Sequence, residues 1–203
     1  MAMDPEKKQK KAEEEKLDWK QSIVLYLHDL IYMLVVVMLV FLLVFRVIVV
    51  SGDSMKTTLL DGDYLLLVSN LFYRDPKPGD IVVISKESFD NGAPIVKRVI
   101  ATEGQIVDID FVNGIVYVDG LPLEEPYIST PTTVQEGMMF PLLVEEGCIF
   151  VLGDNRAVSK DSRSPEIGLV DIREILGRAI LLVLPGTDDG AVARDFDRIG
   201  AVQ

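Results

Sequence analysis

The 203-residue chain has one histidine and one cysteine. The single cysteine, Cys148, excludes an internal disulfide, and its surroundings, CIFVLGD (148–154), mark it as a buried, inert thiol. The single histidine, His28, lies within an apolar run. A Ser-His-Asp triad in a water-facing domain and a histidine-based zinc site are therefore both excluded. Positive charge is also scarce. Twenty Lys and Arg stand against 32 Asp and Glu, a formal net charge of -12. Through Val50 seven basic residues balance seven acidic ones, so the imbalance falls entirely on the later part of the chain. A domain this acidic is not built to hold phosphate backbones, so nucleic acid is not an expected partner.

One run lacks charge almost entirely. From Ile23 to Phe45 the only charged or potentially charged residues are His28 and Asp29, and Leu30 to Phe45 has no charge at all. A bilayer needs about 20 such residues. A cleaved signal peptide would have a shorter apolar core, with small residues behind it. The sequence therefore predicts an uncleaved anchor over 22–46. Lys7, Lys8, Lys10, Lys11, Lys16 and Lys20 precede it, while only Arg46 and Lys56 follow closely. That bias predicts a cytoplasmic tail over 1–21 and an extracytoplasmic domain on the other side of the membrane.

Beyond the anchor the chain reads as short strands with turn punctuation: YLLLV (64–68), DIVVI (80–84), APIVKRVIA (93–101), QIVDIDF (105–111), GIVYVDG (114–120), CIFVLGD (148–154) and GRAILLVL (177–184). Asn113-Gly114 between alternating apolar residues is a hairpin signal. DIREIL (171–176) is the one helical candidate, barely more than a turn. A mostly β domain over 47–185 follows. Residues 121–147 read as a loop excursion, and 186–203 carry too little apolar material to read as anything but a frayed tail.

Three segments can carry chemistry. SGDSMKTTLL (51–60) places Ser54 in a polar turn flanked by apolar residues. In APIVKRVIATEG, Lys97 stands among Val96, Val99 and Ile100. It is either a snorkelling strand lysine or a desolvated amine able to act as a base. GDNRAVSKDSR (153–163) is either a solvated turn or a buried polar network.

Together with the anchor and the PGDIVVI (78–84) and GRAILLVLP (177–185) segments, these boxes resemble the bacterial type I signal peptidases, from the anchor to Pro185. The resemblance implies a mostly β catalytic domain of coiled antiparallel sheets on one N-terminal transmembrane helix. It implies a serine endopeptidase that removes signal peptides from exported preproteins without metal or cofactor. By position, Ser54 matches the nucleophile, Lys97 the general base, Ser159 the hydroxyl that orients the lysine, and Met55 a residue shaping the substrate pocket. Arg98 with Asp154, and Asp161 with Arg163, match structural ion pairs. The expected substrates carry Ala-x-Ala-type cleavage sites, and the expected surroundings are a lipid bilayer, with LFY (71–73) as one candidate for lipid contact.

The chain departs from the family pattern at Thr57, where proline is usual, at Glu103 and Gln105 in place of proline and aspartate, and at Gly52, where some members carry a serine. The rival reading is a membrane-tethered β domain that binds a surface partner without catalysis.

Overall fold

The computed structural model describes residues 5–187 and 193–202. Helix α1 runs Pro5–Val44, and its Ser22–Val44 stretch is long and apolar enough to cross a membrane. Its large apolar side chains from Ile23 to Leu43 are 43% to 75% exposed. A helix that is apolar all round and covered by no protein suits hydrocarbon rather than a core. At 1.5 Å per residue, 23 residues reach about 35 Å, enough for a bilayer core.

The helix ends at Val44, two residues before the end of the predicted anchor. Phe45 and Arg46 instead open strand β1 (Phe45–Val49). The β-branched residues of FRVIV favour extended backbone, and β2 (Tyr64–Ser69) supplies partners for it. Phe45 faces Val68 and Val49 faces Tyr64, antiparallel.

The remainder is mostly β. In chain order the later strands are β3 (Ile81–Ile84), β4 (Ile95–Thr102), β5 (Ile106–Asp110), β6 (Ile115–Val118), β7 (Leu121–Pro122), β8 (Leu142–Leu143), β9 (Cys148–Leu152), β10 (Val170–Asp171), β11 (Ile175–Leu184) and β12 (Gly200–Ala201). A large antiparallel sheet has the order β1-β2-β11-β3-β4-β9-β10, with β12 added on β11. A smaller one has the order β7-β6-β5-β8. Register shifts between Val99 and Ala101 in β4, and at three places in β11, curl the large sheet. The hairpin expected at Asn113-Gly114 joins β5 to β6, with Asp110 facing Ile115 as the last pair. Gly114 takes φ +73, and the Asp110 carboxylate accepts from Val112 N and Asn113 N. The segment expected as a helical turn at 171–176 is a 3-10 turn, Ile172–Glu174, capped by Asp171, and then becomes β11.

β2 alternates exposure in the manner of a half-buried strand, with Leu65 and Leu67 fully enclosed. They join Val50, Met55, Leu59 and Val96 in one core cluster. Each such side chain stabilises the fold by about 1.5–3 kcal/mol. β3 lies between β11 and β4 and is buried throughout.

The tail is not frayed over 193–202. β12 pairs with β11, Leu182 facing Gly200, and Val202 packs against the cluster that holds Met55. Arg198 forms an ion pair with Asp63, whose side chain is fully buried. A charge pair replaces the apolar material that the sequence lacks there. Residues 188–192, also read as tail, lie outside the described residues.

Candidate active site

Ser54 lies in the turn between β1 and β2. Gly52 takes φ +85, a conformation glycine adopts readily, and its N–H is held by Asp61 Oδ1 at 2.8 Å. Hydrogen bonds from Lys56 N to Asp53 O and from Leu59 N to Met55 O close the turn. Asn155 fastens it from outside: its backbone N–H donates to Ser54 O at 3.0 Å and its side-chain amide to Asp53 O at 3.1 Å.

Lys97 projects from β4, opposite Val82 on β3. It is 2% exposed, and its Nζ lies 2.8 Å from Ser54 Oγ and 3.0 Å from Val96 O. Burial pushes the ammonium pKa down to about 8. Asp161, Glu136 and Asp154 pull it back up by their charge, and Arg163 works with burial to lower it. A hydroxyl thus stands beside an amine that can shed its proton near neutral pH, the requirement for a serine nucleophile with a lysine base.

The next residue, Arg98, grips both oxygens of Asp154, Nε to Oδ1 at 2.8 Å and Nη2 to Oδ2 at 2.7 Å. Its Nη1 donates to Gly79 O, and its guanidinium lies 3.9 Å over the Tyr127 ring. Thr58 Oγ1 also donates to Asp154 Oδ2. Arg163 forks onto Asp161 in the same way, at 2.8 and 2.9 Å, and both side chains are fully buried. Asp161 also accepts from Gly153 N, and Arg163 donates to the carbonyls of Val134, Arg156 and Ser159. Segment 153–163 is therefore a buried polar network rather than a solvated turn.

Ser159 and Met55 are both buried. Ser159 Oγ is buried with no hydrogen-bond partner among the described residues, while Lys97 is engaged by Ser54 and Val96. Met55 is 1% exposed and lies in the core with Val50 and Val96. A cavity of about 290 Å³ beside Ser54 is lined by Ile48, Val50, Ser51, Ile95 and Val96 among others. Val50 and Val96 of that wall share their core cluster with Met55.

The sequence reading missed Arg156, which is fully buried. It forms an ion pair with Glu125 and donates to Gly153 O and Thr132 Oγ1. It also missed the role of excursion 121–147, which is fastened to the site by this pair, by Met138 N donating to Arg163 O, and by Thr57 Oγ1 donating to Tyr127 O at 3.1 Å. The departure at Thr57 thus supplies a tether that proline lacks. The two departures after β4 are also used: Glu103 accepts from Gly147 N, and Gln105 accepts from Thr102 N. Glu136, unremarked in the sequence, has one carboxylate oxygen buried without a hydrogen-bond partner among the described residues. Cys148 is half-buried, and burial pushes its thiol pKa up, consistent with an inert role.

The family model described as signal peptidase, peptidase S26, matches residues 23–184. The chain belongs to this family. It is therefore a serine peptidase, a hydrolase. The chain is 36% identical over 145 residues to a probable signal peptidase I-1 of Synechocystis, a match covering 68% of this chain and 70% of that protein. It is 32% identical over 181 residues to signal peptidase I of Bacillus licheniformis, covering 85% and 95%. A crystal structure of signal peptidase I from Enterococcus faecalis is 30% identical, with a TM-score of 0.44 over 51% of this chain and 96% of that one.

Proposed function

We propose that the chain is a membrane-anchored endopeptidase that removes signal peptides from exported preproteins, with Ser54 as nucleophile and Lys97 as general base. The observation that carries this reading is the 2.8 Å approach of Lys97 Nζ to Ser54 Oγ, with the lysine 2% exposed. In the active form Lys97 is neutral and takes the Ser54 proton as Oγ attacks the scissile carbonyl. The lysine returns that proton to the leaving amine, and an acyl-enzyme remains on Ser54. Water then attacks the ester, with Lys97 again as base, and releases the signal peptide.

The Ser54 backbone N–H is the first oxyanion donor. Gly52 N is already held by Asp61, so the second donor lies elsewhere. Ser159, buried next to Gly153, is proposed to orient Lys97 once substrate closes the site. Arg98, Asp154, Asp161 and Arg163 keep the 153–163 network in place, and Met55 supports the pocket wall.

Substrates of the Ala-x-Ala type fit the cavity beside Ser54. Its volume is at the low end of the range of about 300–1,000 Å³ typical of ligand sites, and its walls are mostly apolar. β1 forms the edge of the large sheet, so an extended peptide can add along it. The lysines before the span support a cytoplasmic N-terminus and a catalytic domain on the extracytoplasmic face. Leu71 and Phe72, 53% and 61% exposed, support lipid contact, whereas Leu65 and Leu67 belong to the core.

Preprotein cleavage by the full chain, by Ser54→Ala and by Lys97→Ala tests the reading. Loss of cleavage in both folded variants is expected; normal cleavage by either removes the dyad.

A further inference from the structure

The segment from Asp195 to Val202 lies beyond the family match, yet it reaches the turn that carries Ser54. It forms a 3-10 turn, Phe196–Arg198, and then β12, which adds to β11. From that turn Arg198 donates Nη1 to Asp63 Oδ1 at 3.0 Å and Nη2 to Asp63 Oδ2 at 2.7 Å. Its Nη2 also points to Thr58 O at 3.4 Å.

Asp63 closes the far end of the same turn. Its carboxylate accepts from Leu60 N at 2.8 Å and Gly186 N at 2.6 Å. Its backbone carbonyl accepts from Val50 N at 2.8 Å, at the turn's other end. The stretch from Val50 to Asp63 is thus closed at its ends by the Asp63 backbone and braced near its end by the fully buried Asp63 carboxylate. Arg198 is the cation paired with it. Val202, four residues on, packs against the cluster that contains Met55 and Val50, on either side of Ser54.

We propose that residues 195–202 form a strap that holds the nucleophile turn in register with Lys97, with Arg198 as a positioning residue acting through Asp63 and Thr58. The proposal rests on Ser54 being the nucleophile. Without Arg198 the ties to Asp63 and Thr58 O are lost and the turn is held less firmly, and the Asp63 charge is in addition buried with only backbone donors. A displacement of about 1 Å at a reacting atom lowers turnover by about 100-fold.

The test uses the full chain and one preprotein, with kcat and KM measured separately across pH, well below each variant's unfolding temperature. Arg198→Ala is expected to lower kcat by about 10–100-fold, with KM within about two-fold of wild type. The midpoint of the acid limb should stay nearly in place, because the main charges acting on Lys97 are those of Asp161, Glu136, Asp154 and Arg163. Arg198→Lys should recover part of kcat.

The double variant Arg198→Ala with Asp63→Asn removes the stranded charge while leaving the strap untied. It should fold well and remain slow. Wild-type kcat in Arg198→Ala, or full recovery in the double variant, overturns the strap. Ser54→Ala separates the two ideas: cleavage that survives it overturns the nucleophile and the strap together. An inactive Ser54→Ala beside a fully active Arg198→Ala overturns the strap alone.

Discussion

Arg98 and Asp154 form a two-pronged ion pair with both side chains essentially sealed from solvent, one residue along β4 from Lys97. The pair keeps the Asp154 charge satisfied beside an amine that, as the proposed base, has to lose its own proton. Removing one partner leaves an uncompensated buried charge, which costs about 3–5 kcal/mol. Asp154→Ala is expected to lower stability by that amount and Asp154→Asn by less. Denaturant unfolding with a comparison of midpoints measures the difference.

Lys97 predicts opposite effects on activity and stability. Its pKa is depressed to about 8 from an ordinary value of 10.5. The neutral base accumulates as pH rises, so kcat/KM should climb through an acid limb centred near pH 8. In the unfolded chain the lysine stays protonated up to about 10.5. The folded state therefore carries the full penalty below pH 8 and sheds it between 8 and 10.5, where stability contributed by this residue rises with pH. The penalty is about 3 kcal/mol. Lys97→Met should abolish cleavage yet stabilise the fold at pH 7, and the gain should fade above pH 10. A stability series across pH reads both effects.

Gly153 sits where a side chain has no room. A Cβ there would lie 2.2 Å from Ser159 Oγ and 2.5 Å from Ser54 O. Both neighbours belong to the site, so Gly153→Ala should push the nucleophile turn away from segment 153–163. Cleavage should fall by at least about 100-fold, since small misplacements of reacting atoms are costly. The loss should appear in kcat while the protein remains folded by circular dichroism.

Glu136 offers a finer probe. It is one of the three carboxylates that hold the Lys97 pKa up. Its own pKa is raised, by burial first and by Asp161 second. Glu136→Gln removes its charge, so the acid limb of kcat/KM should move to lower pH with little change in plateau rate. An acid limb that stays in place would show that this carboxylate does not act on the base.

The strands are readable because β-branched and aliphatic residues alternate or cluster between glycines and prolines, whereas the pairings of β11 with β2 and β3, of β4 with β9 and of β5 with β8 join distant segments and leave no local signal. The Ser54, Lys97 and 153–163 boxes were readable because each pairs polar chemistry with an apolar flank. The helix end was misplaced by two residues because FRVIV is as apolar as the span before it. Only pairing with β2 marks it as strand. The fastened tail was not legible. What holds Arg198 is a carboxylate at position 63, and no local window contains both. Glu125 and Arg156 were hidden for the same reason, as was the orientation of Met55, since an apolar residue beside a nucleophile reads equally as pocket lining or as core.

The hydrogen bonds that define the site also set when it can exist. Lys97 reaches Ser54 across 43 residues, Asn155 reaches Asp53 across 102, and Arg198 reaches Asp63 across 135. Contacts of such separation form slowly and late, because loop closure precedes their reward. While the chain is still being synthesised, the serine is present without its amine, then without its fastening loop, then without its strap. On the proposed reading, proteolytic competence therefore rises late in folding, after segment 153–163 has closed on the serine turn, and reaches its full rate only when residues 195–202 have docked.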